Sequence, residues 1–366
     1  MTQAVTLLGC GDVGPIHGPV EHYGSLVRDT LMHADIRFAQ VERVYSTRGA
    51  LQPGSGGGHS RVPPAMASVF TDCGFNIVSV ASNHAMDWGA DALLDTIELL
   101  RGLGIQTVGA GRDLAESRRP AFIDCNGLRV AFLAYCSVLH EGYAAGPDKP
   151  GVAPLRAQTR YEPVDYQPGV PPRIVTTPDE QDFAALLADV RAAKAAADKL
   201  VLSLHWGIHF VPRLIADYQR TVAHAAVAAG ADVILGHHAH VPKAIEVHGG
   251  HTCFYSLSNF IMSTPAKTEA AAAEFCTRYG VVLDPAYPHL PYGTDAKRSL
   301  VAKSVMSKTA PTRNSFLPVI IDRDLRPEIL QASDPRFIDM LDYMEWASEG
   351  FPHRFAVEGD EVTISA

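Results

Sequence analysis

Ala231-Asp232-Val233-Ile234-Leu235-Gly236-His237-His238-Ala239-His240 decides how this chain is read. An apolar run of strand character ends in a glycine and then delivers three imidazoles within four residues. Neutral imidazole is the commonest metal ligand among side chains, and burying several together without a partner is costly. Loops that follow strands are also where folds place their chemistry. The stretch therefore predicts a metal edge against which every other His, Asp, Glu and Asn can be tested.

The rest of the composition narrows the class. A chain of 366 residues with 47% hydrophobic residues can bury a sizeable core. Forty acids against 31 bases leave a net charge of −9 without an extended basic patch, so we expect no nucleic-acid partner and no membrane partner. The six cysteines (Cys10, Cys73, Cys125, Cys136, Cys253, Cys276) form no C-x-x-C pair, which suits reduced thiols. The amino terminus has neither a basic n-region nor a long apolar h-region, and no segment approaches the ~20 apolar residues of a bilayer span. The expected location is cytoplasmic.

Short apolar runs alternate with helical patterns. Val5–Leu8, Ile36–Val41, Ile77–Ala81, Gln106–Val108, Leu128–Tyr135 and Leu200–Leu204 read as strands. Tyr23–His33, Pro63–Cys73, Ala90–Leu103, Pro178–Ala197 and Ile215–Ala229 read as helices. This alternation predicts an α/β layered domain. Gln52–Pro64 reads as a Gly/Pro-rich loop and Gly142–Pro172 as an extended, proline-rich excursion. Thr264–Asn314 is long enough to be an insertion, either a substrate lid or a peripheral decoration. Residues 1–335 are expected to form one domain. Phe316–Ile321 and Glu328–Leu330 would be its closing strands, and 336–366 a helical tail.

Candidate ligands recur where strand-like runs end. Gly9, Gly11 and Gly14 match G-x-G-x-x-G literally, but Pro15, Gly18 and Pro19 oppose the immediate helix a dinucleotide site requires. Asp12 is accordingly read as a metal ligand. Glu42 ends another run, as a ligand or as a solvated strand end. In Ser82-Asn83-His84-Ala85-Met86-Asp87, Asn83 offers an amide oxygen, His84 a general acid or base, and Asp87 a group to orient it; helix capping is the alternative. His205 closes Val201-Leu202-Ser203-Leu204, and His238 and His240 follow Gly236. Such an edge is where α/β folds gather ligands. Mixed oxygen and nitrogen donors suit two divalent ions of the Mn, Fe, Zn or Co type, with no organic cofactor.

In this order the motifs G-D, a strand ending in Glu, S-N-H-x-x-D-x-G, H-W-G, G-A-D-V-I-L-G-H-H-A-H-V and Tyr255-Ser256-Leu257-Ser258-Asn259-Phe260 resemble the capsule-synthesis (CapA-type) branch of the calcineurin-like metallophosphoesterases. The resemblance runs from about residue 5 to 262. It implies a two-sheet αββα sandwich with helices outside and a dinuclear metal edge. It also implies Asp12, Glu42, Asn83, His205, His238 and His240 as ligands, with His237 nearby and His84 as the acid/base residue. Three departures stand out. The wider superfamily's D-x-H is Asp12-Val13-Gly14 here, the branch's Asn-Leu-Glu is Gln40-Val41-Glu42, and its His-Trp-Gly-x-Glu is His205-Trp206-Gly207-Ile208-His209. His209 places a group that ordinarily titrates near neutrality beside the ligands.

Two reactions suit such a site. Metal-activated water can hydrolyse a phosphoester or an amide-like bond, with His84 as general acid. Alternatively, metals can polarise a carbonyl while one group removes an α-proton and another returns it on the opposite face. His84, His209, Asp87, Cys10 and His17 are candidates for those transfers, with Trp88 and Trp206 as apolar walls or, equally, as core residues. Branch members that make capsule or poly-γ-glutamate usually carry a membrane anchor or export signal. The chain looks more like cytosolic relatives that epimerise a residue near the C-terminus of ribosomally made peptides, including lasso peptides. The expected function is therefore a metal-dependent peptide epimerase acting on a precursor peptide, with hydrolysis as the alternative. A non-catalytic polymer- or peptide-binding protein is a third reading.

Overall fold

A computed structural model describes residues 4–55, 57–165 and 169–366. Two large sheets face each other. In the ten-stranded sheet the order is Arg354–Glu358, Glu361–Ser365, Arg313–Ile321, Arg298–Met306, Val5–Gly14, Ile36–Val41, Ile77–Ser79 and Gln106–Val108. Asn259–Met262 joins Val5–Gly14 in this sheet, and Pro327–Ile329 joins Arg313–Ile321. The six-stranded sheet runs Ile245–His248, His251–Phe254, Val233–His237, Lys199–His205, Leu128–Cys136 and Ala121–Cys125.

Alternation along the central strands explains the layers. Val201, Val233 and Leu235 enter the core between the sheets. Leu200, Leu202, Leu204 and Ile234 enter a second core against Leu186 and Val190 of the Glu180–Ala195 helix and Val222 and Ala226 of the Asp217–Ala229 helix. Strands buried on both faces read as continuous apolar runs, which is why these segments were easy to recognise. Across the interface Phe38 stacks on Phe132 with ring centroids 6.1 Å apart. On the far side of the larger sheet, the Gly89–Gly102 helix buries Leu93, Ile97 and Leu100 at helical spacing. The expected α/β two-sheet sandwich with helices outside is thus observed.

Parallel pairing decides where the site sits. Val5–Gly14, Ile36–Val41, Ile77–Ser79 and Gln106–Val108 run parallel, as do Leu128–Cys136, Lys199–His205, Val233–His237 and His251–Phe254. Each parallel set brings its carboxyl ends to one edge.

Some expectations hold and others need correction. The first strand continues through Gly14, so Asp12 lies within it, and no helix follows the glycines. Tyr23–His33 is helical only over Arg28–Met32; the preceding residues form turns, and Gly24 there packs where a Cβ would stand 2.7 Å from the Cys73 sulfur. Pro63–Cys73 divides into a 3-10 turn, Pro64–Ala67, and a short helix, Ser68–Asp72. Gly142–Pro172 is extended, pairing Ala157–Glu162 with Arg173–Pro178, although 166–168 lie outside the described residues, as does Gly56 of the Gln52–Pro64 loop.

The candidate insertion is shorter than 264–314. Arg298–Met306 is an inner strand of the larger sheet, between Val5–Gly14 and Arg313–Ile321, so the outlying part ends near Lys297. That part contains one α-helix, Glu269–Tyr279, capped by Thr268 and with no buried residue, and a 3-10 turn, Thr294–Lys297. The tail is helical over Pro335–Ser348 and then forms a hairpin that pairs with Arg313–Ile321. All six cysteines are free. Among the described residues no helix is long and apolar enough to cross a membrane.

Candidate metal centre

Asp12, Glu42, Asn83, His205, His237, His238 and His240 converge at the shared edge, each at most 5% exposed. Asp12 is aimed there by local irregularity, since the pairing register of its strand shifts between Gly9 and Asp12 and again between Asp12 and Val13. Gly11 permits this by close approach, because a Cβ there would stand 2.0 Å from the Ser258 carbonyl oxygen. Glu42 follows the Ile36–Val41 strand and accepts a hydrogen bond from the Ser82 hydroxyl at 2.8 Å. His238 and His240 adopt left-handed backbone conformations, φ 89° and 55°. Such strain in non-glycine residues is costly and persists where the surroundings enforce it.

Ligand atoms of Asp12, Glu42 and His205 lie within 4.8 Å of one another. His205 Nε2 is 2.7 Å from Asn83 Oδ1, 3.1 Å from His238 Nδ1 and 3.8 Å from Glu42 Oε2. His237 Nδ1 and His240 Nδ1 stand 3.4 and 3.5 Å from the two Asp12 oxygens. His240 Nε2 is 3.9 Å from Glu42 Oε1. Asp12 Oδ1, Glu42 Oε1, His205 Nδ1 and both His237 nitrogens are buried without a hydrogen-bond partner. A buried polar atom without a partner is expensive, so unshared acid and imidazole atoms converging here fit divalent cations. His237, which the resemblance put only nearby, stands as close to Asp12 as His240 does.

The electrostatics agree. Burial, with Asp12 adding to it, pushes the Glu42 carboxyl well above its ordinary range. Burial and neighbouring imidazoles push His205, His238 and His209 well below theirs, and burial lowers His240. Without cations the cluster thus favours neutral groups; bound cations would favour ionised acids and free imidazole lone pairs.

His84 stands beside the cluster with 19% of its side chain exposed, Nε2 3.9 Å from Glu42 Oε1. Its Nδ1 donates to Asp87 Oδ2 at 2.8 Å, and Asp87 Oδ1 accepts from the Tyr143 hydroxyl at 3.0 Å. Burial alone would raise Asp87, but hydrogen bonds from His84, Ser60 and Tyr143 hold it below its ordinary value. An ionised Asp87 fixes the His84 tautomer with its proton on Nδ1.

The other expected site residues differ in their surroundings. Cys10 is buried, and burial, with Cys73 adding to it, pushes its thiol well up, which removes it from proton transfer near neutrality. His17 is exposed, its ring meeting His289 edge-on at 5.4 Å. His209 does reach the cluster, 3.7 Å from His238 between ring centroids, but it is not a near-neutral titrating group because burial favours its uncharged form. Trp206 is core, stacked on Tyr255 at 5.7 Å. Trp88 is partly buried beneath the Arg61 guanidinium, 3.5 Å from the ring centroid.

Asn259 was missed. Its Nδ2 donates to the carbonyls of His240 and Ala296 at 3.1 and 3.0 Å, which fixes the amide so that Oδ1 accepts from His240 Nδ1 at 2.8 Å. His240 Nε2 is then left with a free lone pair toward Glu42. The signal was Tyr255-Ser256-Leu257-Ser258-Asn259-Phe260, whose Asn259 was treated as part of a motif but given no role. Tyr292 was also missed; from the outlying segment it stacks on the His240 ring at 4.4 Å.

Residues 17–264 match the family described as "Bacterial capsule synthesis protein PGA_cap". Asp12 precedes that span. The PGA biosynthesis protein CapA of Bacillus subtilis (strain 168) is 32% identical over 206 residues, 56% of this chain and 47% of that protein. The capsule biosynthesis protein CapA of Bacillus anthracis is 30% identical over 194 residues, 52% of this chain and 41% of that protein. The chain therefore spans less than half the length of these relatives. Among solved structures, the calcineurin-like phosphoesterase YfkN from Bacillus subtilis aligns with a TM-score of 0.39 at 14% identity, covering 86% of this chain and 90% of that one.

Proposed function

Since the chain belongs to the bacterial capsule synthesis protein PGA_cap family, we propose that it is a metal-dependent hydrolase that cleaves a phosphoester or amide-type bond in a capsule- or polyglutamate-related substrate. The observation that carries this reading is the convergence of Asp12, Glu42 and His205 on one point, with unshared lone pairs, beside the Asp87–His84 pair.

Asp12, Glu42, Asn83, His205, His237, His238 and His240 would hold two divalent ions. Such ions supply Lewis acidity at the scissile group and make water acidic enough to attack near neutral pH. The chain's own residues do the rest. His84, the partly exposed imidazole, delivers a proton from Nε2 to the leaving atom, and Asp87 keeps Nδ1 protonated and offsets the imidazolium charge. Asn83 stands between the two, with Oδ1 2.7 Å from His205 Nε2 and Nδ2 3.3 Å from His84 Nε2. Asn259 holds His240 in the ligating tautomer.

Peptide epimerisation has less support. It needs a second proton-transfer group on the opposite face of the α-carbon. With Cys10 removed, His209 and the exposed His17 are the remaining imidazoles of the original candidates to pair with His84.

Incubation of Mn²⁺- or Zn²⁺-loaded protein in D₂O with an alkyl phosphodiester, a γ-glutamyl oligomer and a linear peptide separates the two. Hydrolysis predicts bond cleavage with no deuterium at an α-carbon. Deuterium at an α-carbon of intact peptide, with no cleavage of the other probes, would establish the epimerase instead.

A further inference from the structure

We propose that His224, Glu246 and His248 form a second cation site, selective for zinc-type ions, on the outer face of the smaller sheet. His224 belongs to the Asp217–Ala229 helix, and Glu246 and His248 to the edge strand Ile245–His248. Two residues apart on a strand, Glu246 and His248 share a face, while the intervening Val247 and the preceding Ile245 point the other way. Ile245 enters the core between the sheets, so Glu246 and His248 face the helix layer. The sheet itself separates them from Asp12 and Glu42.

The donors are already assembled. One ligand atom from each of the three residues lies within 4.8 Å of the others. Glu246 is 1% exposed, and its Oε1 is 2.9 Å from His224 Nε2. Its other oxygen accepts from the Tyr255 hydroxyl at 2.7 Å, an outer partner of the kind that fixes ligating carboxylates. His224 and His248 are partly exposed, which opens the site to ions from solvent. Two imidazole nitrogens and one carboxylate oxygen are the donors of three-coordinate protein sites for Zn²⁺, with water completing the tetrahedron. Ca²⁺ and Mg²⁺ would want more oxygens.

Two adjustments accompany binding. The rings of His224 and His248 stack with centroids 3.7 Å apart and planes within 3°, so their lone pairs lie in nearly parallel planes, and one ring must tilt to converge on an ion. Arg220, 3.4 Å from Glu246 Oε1, must withdraw; its guanidinium already rests 4.9 Å from the Phe351 ring centroid. A bound ion would then fasten the helix to the edge strand, which also holds the tail through the Val247 amide and the Pro352 carbonyl at 2.7 Å.

Equilibrium dialysis of the full chain against micromolar free Zn²⁺, read by elemental analysis, tests the site. Wild type should take up one equivalent more than His248→Ala and one more than His224→Gln, both of which alter partly exposed rings and should melt near wild type without metal. His240→Ala should retain that extra equivalent, which separates this site from the Asp12–Glu42 centre. With Cu²⁺ as the probe, the two variants should also lose an electron-paramagnetic signal with two-nitrogen coupling that His240→Ala keeps. Equal Zn²⁺ uptake by wild type and either folded variant would overturn the proposal.

Discussion

Replacing Gly236 by alanine perturbs the candidate centre without touching a ligand. A Cβ at Gly236 would stand 2.2 Å from the Tyr255 carbonyl oxygen, 2.5 Å from its carbon and 2.6 Å from the Phe254 carbonyl oxygen. All three are backbone atoms of the adjacent segment that pairs with this strand, so no side-chain rotation relieves the overlap. Restoring an ordinary C···O separation of about 3.3 Å requires the His237-bearing strand to move by roughly 1 Å. Overpacking of that kind costs about 1–3 kcal/mol. A displacement of ~1 Å at groups that position the reaction costs about 100-fold in rate. We therefore expect Gly236→Ala to lower the rate of the metal-loaded protein on an alkyl phosphodiester by about two orders of magnitude, and to lower stability in urea melts by about 1–3 kcal/mol. Gly102→Ala is the comparison: it ends a helix, has no heavy atom near the added methyl, and should stabilise by about 0.5 kcal/mol with an unchanged rate. Wild-type rate and stability in Gly236→Ala would refute the reasoning.

Three further outcomes follow from the geometry. Asp87→Asn leaves His84 without its ionised partner, so cleavage of an alkyl ester should fall about 100-fold or more while a p-nitrophenyl ester, whose leaving group needs no proton, falls far less; equal losses would count against His84 as the acid. Asn259→Ala frees the His240 ring and should weaken metal binding about 10–100-fold in competition dialysis, whereas unchanged affinity would remove its positioning role. Lys243, buried and donating to the carbonyls of Val211 and Leu214, has its ammonium pulled down to about 7 by burial. Unfolded chains bind that proton more tightly between about pH 7 and pH 10, so stability should rise with pH across this window, by up to about 1.4 kcal/mol per unit, and the burial cost is carried in full below it. Urea melts should show that slope in wild type and a flatter line in Lys243→Met; parallel lines would contradict it.

Legibility in the sequence depended on how local the cause was. Ile36–Val41 and Gln106–Val108 were readable because strands buried on both faces or bounded by turns declare themselves in composition. Glu42, His205 and His238 were readable because each closes or directly follows such a run, and Asp12 because it follows the apolar start of its strand. Arg298–Met306 was not recognised as an inner strand, because the irregular segment before it suggested one continuous insertion. The tail hairpin did carry a signal: Arg354-Phe355-Ala356-Val357-Glu358 and Glu361-Val362-Thr363-Ile364-Ser365 flank Gly359-Asp360, a two-residue turn in which Gly359 has φ 64°. Cys10 and His17 were chosen for their chemistry, but which face a side chain takes is set by packing against residues far away in sequence, Cys73 in one case and His289 in the other. Asn259 was beyond local reading for the same reason, since its role exists only once its strand pairs beside Asp12.

Metal content is the most direct test of the central claim that Asp12, Glu42 and the converging imidazoles hold divalent ions. Full-chain protein reconstituted with Mn²⁺ or Zn²⁺ is freed of excess metal and analysed beside Asp12→Asn, Glu42→Gln and His205→Ala, each checked for folding. The account predicts that every folded variant loses bound metal relative to wild type and loses hydrolysis with it. Wild-type metal content in all three would contradict it.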